Sequence, residues 1–152
     1  MRWVLLPLLC GTAAADPMWD AEVRAGYGRT STHSSSMTLA GVASFAIETE
    51  PALSAYAGLS LETMETASVG SLFGVKLTQG PIRLSGGGAW VFAPLTLWGV
   101  TGSIGACKRI GSKFSTCGDL ELTAYFAGTA MDEGKTMAQA AFVVGFVVDG
   151  GE

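Results

Sequence analysis

The sequence predicts an all-β fold, an eight-stranded antiparallel up-and-down transmembrane β-barrel. Three observations predict it. Apolar residues alternate with small or polar ones, the period of a strand, and no helical period competes. The alternating segments run to ~9–13 residues, longer than the ~5–6 of ordinary strands. A tilted strand needs ~9–11 residues to cross a bilayer. Opposite the apolar face lies a face built mostly of Gly, Ala, Ser and Thr. Such residues suit a narrow interior and make a poor solvated surface.

Composition sets the bounds. The 152 residues suffice for one domain. Apolar residues make up 49% and charged residues only 14%, where a soluble domain carries about 25% charged. The net charge of −4, with no basic cluster beyond Lys108-Arg109, argues against a nucleic-acid partner.

Residues 1–15 read as a secretory signal peptide. Met1 and Arg2 start it, residues 3–10 are apolar around Pro7, and Ala13-x-Ala15 fits the small-residue cleavage rule. Cleavage before Asp16 leaves 137 residues (152 minus 15), so residues 16–152 form the barrel domain. The apolar stretch is too short to span a bilayer as a helix, which takes ~20 residues. A lipoprotein cysteine at Cys10 is disfavoured by Leu9, where a small residue belongs.

The strands follow in order. In 19–27, Trp19, Ala21, Val23, Ala25 and Tyr27 oppose Asp20, Glu22 and Arg24. In 37–48, Leu39, Phe45 and Ile47 oppose Thr38, Ser44 and Glu48, and in 52–64, Leu53, Leu59 and Leu61 oppose Ser54, Ser60 and Glu62. Segment 69–78 sets Val69, Phe73, Val75 and Leu77 against Gly70, Gly74 and Lys76. Segment 81–92 sets Ile82, Leu84, Trp90 and Phe92 against Arg83, Ser85 and Gly87. Segment 95–107 is ambiguous, because Leu97, Trp98 and Val100 occupy both parities. In 116–127, Leu120, Leu122 and Phe126 oppose Asp119, Glu121, Thr123 and Tyr125. In 137–149, Phe142, Val144 and Phe146 oppose Gln139, Ala141 and Gly145. Turn chemistry separates the segments at 31–36, Glu50-Pro51, Gln79-Gly80-Pro81, Ala93-Pro94, Gly111-Ser112 and Asp132-Glu133-Gly134.

Alternation alone permits two barrels. A soluble one turns its apolar face inward; a membrane one turns it to lipid. The second reading is favoured by the small polar face and by aromatics near strand ends (Trp19, Tyr27, Trp90, Phe92, Phe126). It is also favoured by the mixed signs of the charges. Asp20, Glu22, Glu48, Glu62 and Glu121 stand against Arg24, Lys76 and Arg83, a candidate lumenal charge network. Eight strands leave an interior that side chains fill, so an open pore is not expected. The soluble alternative is a periplasmic calycin-like barrel that binds a small hydrophobic ligand between its apolar faces.

On this pattern the mature chain resembles the small eight-stranded outer-membrane barrels, the OmpA membrane domain and the OmpX-like proteins. A second likeness lies in Gly105-Ala106-Cys107, Cys117-Gly118-x-Leu120-Glu121-Leu122 and a loop with Gly128 and Gly134. That run is similar to uncharacterised barrels of myxobacteria and related δ-proteobacteria, which have a cysteine pair flanking one turn. The resemblance implies export to a Gram-negative outer membrane, with outer-membrane lipid and the barrel-assembly machinery as partners. It implies no activity. The chain departs from the pattern in three places. Phe146 is followed by residues 147–152 where such barrels end in an aromatic, the sixth turn is long, and Ala93-Pro94 is short for an outer loop.

Candidate chemistry is sparse. Beyond the signal two cysteines remain, Cys107 and Cys117, ten positions apart. An oxidising compartment favours a disulfide over two buried thiols. His33, the only histidine, lies among serines and could act as a general base in an outer-membrane lipid acyltransferase. Such a site also needs a positioned acid, and Asp132 and Glu133 are the acids of the last outer loop. An exposed His in a Ser-rich loop is the simpler reading. One His and two cysteines without CxxC spacing make no zinc site, and Gly86-Gly87-Gly88 precedes no helix that would make it a phosphate loop. The inward carboxylates could form an acid–base set, but a structural ion-pair network is the expectation. No enzyme activity and no cofactor is expected. The expected role is structural or in surface interaction, carried by polar loops at 29–36, 62–68 and 128–136, which share one end if strands run up and down.

Overall fold

A computed structural model describes residues 19–32, 34–49, 52–63, 66–129, 131 and 134–150. The predicted signal peptide with Cys10, His33, Met64, Asp132 and Glu133 lie outside the described residues, as does the side chain of Glu48.

Eight strands form, one for each alternating segment: β1 (Trp19–Thr30), β2 (Ser35–Thr49), β3 (Ala52–Thr63), β4 (Ala67–Gln79), β5 (Ile82–Ala93), β6 (Leu97–Arg109), β7 (Phe114–Gly128) and β8 (Met137–Gly150). Each pairs antiparallel with the next, and β8 returns to β1, so the sheet closes into an up-and-down barrel. Several strands outrun their predicted ends. Ser35 pairs with Arg29 and Phe114 with Val148. Ladder bonds use the backbone, so a strand continues through serines that carry no apolar signal.

The ladder climbs as it turns. Following partners from Asp20 passes Ser44, Tyr56, Gly74, Gly87, Thr101, Thr123 and Gln139 and returns to β1 at Thr30. That is a stagger of ten residues (30 minus 20). Closure at such a stagger requires strands tilted by roughly 35–45° to the axis.

The apolar parity faces outward. In β1 exposed and buried residues alternate without a break, and Leu59, Leu122 and Val23 are more than 60% exposed. Among the described strand residues, Arg29 and Lys108 are the charged side chains of the outward parity, and they sit near opposite ends. The neighbours of β6 settle its ambiguity. Leu97 lies opposite inward Val91 and is 3% exposed; Trp98 lies opposite outward Trp90 and is 43% exposed. Residues opposite each other in a ladder share a face.

The interior is less uniformly polar than the sequence suggested. Leu72, Val91, Leu97, Val143, Val147 and Tyr125 also point inward and are buried. Ala40, Val42, Tyr56, Leu72, Ala89, Val91, Leu97 and Tyr125 pack into one cluster, with Met131 and Met137 against it. Connections 31–34, 64–66, 94–96 and 129–136 share one end, the loop end. Connections 50–51, 80–81 and 110–113 share the other, the turn end.

Candidate functional site

The inward charges gather in the half of the barrel nearer the turn end. The first pair comes from β1 and β4: the Lys76 ammonium donates to Asp20 Oδ2 at 2.7 Å and Oδ1 at 2.9 Å. Ser44 of β2 completes it, donating to Asp20 at 2.9 Å and accepting from Lys76 at 2.9 Å. Arg83 of β5 makes the centre. Its Nη1 and Nη2 fork onto the Glu22 carboxylate at 2.8 and 3.0 Å, and its Nε donates to Asp119 Oδ1 at 3.1 Å. Its Nη2 also bonds Asp119 Oδ2. Arg24 reaches Glu121 of β7 at 3.1 Å. The planar guanidinium suits this site because its donors match two carboxylates at once.

Two glycines make room. A Cβ at Gly145 would collide with Glu22 Oε1, and one at Gly105 would collide with Asp119 Oδ1. The bare backbone of β8 and β6 is thus the floor on which the two carboxylates lie.

Of the predicted network, Asp20, Glu22, Arg24, Lys76, Arg83 and Glu121 come together in ion pairs. Glu62 does not join them. It lies toward the loop end and accepts a hydrogen bond from the Tyr125 hydroxyl at 3.0 Å. The backbone of Glu48 pairs with Leu53 in the ladder. Asp119, 1% exposed, is the partner that sequence reasoning missed. Its signal was present, because it shares the face of Glu121 and Thr123.

Hydroxyls and amides tie other inward residues: Ser85 with Ser103 at 2.7 Å, Thr123 to Thr101 at 3.1 Å and Gln139 to Ser36 at 3.0 Å, while the Ser60 hydroxyl is buried without a hydrogen-bond partner. A cavity of about 10 Å³ lies among Glu22, Arg24, Tyr56, Lys76 and Arg83, room for about one water. The arrangement holds charge in buried ion pairs, and Arg24 Nε alone among their nitrogens is buried without a hydrogen-bond partner. Among the described residues no three His, Cys, Asp or Glu side chains converge as a metal site.

Cys107 and Cys117 form a disulfide. They are direct partners in the β6–β7 ladder, with Cα atoms 4.0 Å apart, and Cys117 is 3% exposed. The bridge closes a ten-residue separation at the turn end. Changing both cysteines to Ala should lower unfolding stability by about 2–4 kcal/mol. Urea unfolding of the double variant beside the oxidised protein reads this, and equal midpoints would show that the hairpin needs no staple.

Three solved structures match this chain. A designed protein described under "De novo design of transmembrane beta-barrels" matches at a TM-score of 0.55 and 12% identity, covering 88% of this chain and 98% of that one. The de novo designed TMB2.3, solved by solution NMR, matches at 0.54 and 9% identity, covering 93% of this chain and 100% of that one. The outer membrane protein AlkL, solved by solid-state NMR in DMPC bilayers, matches at 0.48 and 8% identity, covering 100% and 99%. The first two share the closed eight-stranded barrel. Comparison with protein-family models gives no match, nor does comparison with curated protein sequences.

Proposed function

We propose that the chain is an integral outer-membrane β-barrel of a Gram-negative bacterium, related to the OmpX-like proteins and exported by the signal at residues 1–15. Its interior is filled, and its role is structural or in surface interaction rather than catalysis or open-pore transport. Outer-membrane lipid and the barrel-assembly machinery are its partners. One observation carries the reading: among the described strand side chains the outward face is predominantly apolar, and its charges are Arg29 and Lys108 near the ends.

Aromatics mark both limits of that face. Trp19, Phe45, Phe114 and Phe146 gather near the turn end, where Phe114 and Phe146 stack with ring centroids 5.7 Å apart. Tyr27, Trp90, Phe92, Trp98 and Phe126 gather near the loop end, where Trp90 and Trp98 stack at 4.6 Å. The eight steps from Trp19 to Tyr27 rise about 20 Å along the axis, at ~3.3 Å each and a ~40° tilt. Outer-membrane barrels present an apolar band of ~25 Å between two such girdles. The filled interior is favoured by ion pairs that cross the lumen from β1 to β5 and β7. The calycin-like alternative places the apolar faces inside, and here that parity is the exposed one.

The mature protein should migrate faster unboiled than boiled in detergent electrophoresis, with a β-rich circular dichroism spectrum. A protein that stays soluble without detergent and shows no shift would overturn the membrane reading.

A further inference from the structure

The β6–β7 hairpin gathers exposed cations at the turn end. Lys108, Arg109 and Lys113 fall within six positions, and all three are exposed. Arg109 is occupied: it donates to the Ser112 carbonyl at 2.7 Å and lies 3.6 Å from Asp149. The Lys113 carbonyl accepts from the Asp149 N–H at 2.9 Å, but the ammonium groups of Lys108 and Lys113 have no ion pair or hydrogen bond among the described residues. Two apolar side chains stand beside them, Ile110 at 56% and Phe114 at 43% exposure. Phe114 belongs to the turn-end aromatic girdle through its stack on Phe146.

We propose that this hairpin tip is a binding site for the phosphate of an anionic phospholipid. The inference rests on the membrane reading above. Lys108 has the outward parity and follows Ile104 and Ala106 down the outer face of β6. Its long stem can run along apolar surface while its ammonium reaches the headgroup plane. Lys113, across the turn, supplies a second ammonium. Ile110 and Phe114 give the acyl-chain side of the headgroup region an apolar contact. The Cys107–Cys117 bridge lies directly beneath and fixes the spacing of the two strands that carry the lysines. The tip is therefore ordered before any lipid arrives, which lowers the cost of binding.

The test is native mass spectrometry of the barrel released from detergent micelles containing equal phosphatidylglycerol and phosphatidylcholine. The wild-type barrel should retain phosphatidylglycerol preferentially, with a preference that falls as salt rises. Lys108→Gln and Lys113→Gln should each reduce the preference about fivefold, while Lys108→Arg/Lys113→Arg should keep it. The unboiled mobility of each variant reports that it is folded. Equal preference in wild type and Lys108→Gln/Lys113→Gln, at every salt, would overturn the site and leave the tip to an acidic protein partner. A barrel that retains neither lipid and needs no detergent would instead overturn the membrane reading, a separate result.

Discussion

Replacing Arg83 with Met should destabilise the barrel by about 3–5 kcal/mol, the cost of stranding buried charge. Arg83 is 4% exposed, and it is the partner of both Glu22 and Asp119, which are 4% and 1% exposed. Removing the guanidinium leaves two carboxylates facing each other with no cation between them. Urea unfolding in lipid vesicles, followed by tryptophan emission, measures the loss. The triple change Arg83→Met/Glu22→Gln/Asp119→Asn should regain most of it, because neutral amides carry no unpaired charge. If Arg83→Met alone costs less than about 1 kcal/mol, water reaches the network, as for an exposed pair, and the interior is not filled.

A second large effect is expected on the outside. Leu122 lies midway along β7 on the outward face and is 66% exposed. Leu122→Arg should cost about 2–4 kcal/mol in a bilayer, because it places a cation at the middle of the hydrocarbon. Met37, opposite Tyr27 in the loop-end girdle and 60% exposed, is the matched control. Met37→Arg should cost only about 0–1 kcal/mol, since near the interface the charge reaches water. In an aqueous protein both changes would be surface substitutions worth about 0.5 kcal/mol or less. Equal costs at the two positions would therefore count against a membrane-embedded band.

Much of this was legible in the sequence. A period of two, held for about ten residues and repeated eight times, identifies both the strands and the residues that share a face. It told inside from outside for β1, where Asp20, Glu22 and Arg24 interrupt an otherwise apolar series. It failed for β6, because Leu97, Trp98 and Val100 offer apolar side chains to both faces. The pairings of Leu97 with Val91 and of Trp98 with Trp90 break that tie. The charge network was legible as a set of residues but not as a set of partners. Parity gives the face; which inward residues meet depends on the stagger and on the angular position of each strand. Asp119 and Arg83 are 36 positions apart and meet only because β5 and β7 curve toward each other. Glu62 shares the inward parity yet sits too far toward the loop end to join, and it takes Tyr125 instead.

None of the interior ion pairs among the described residues joins neighbouring strands. Asp20–Lys76 links β1 to β4, Glu22–Arg83 links β1 to β5, Arg83–Asp119 links β5 to β7, and Arg24–Glu121 links β1 to β7. In a flat sheet β1 and β5 would lie about 19 Å apart, four spacings of ~4.8 Å. The three pairs that use β1 are therefore out of reach until the sheet has rolled up. An incomplete sheet in water keeps these charges hydrated, and on the membrane reading one that enters lipid unrolled carries them in unpaired. A barrel closed with one strand too few or too many would bring different residues across from Arg83. The interior thus counts strands: its charges all reach their partners only when eight have closed into one ring.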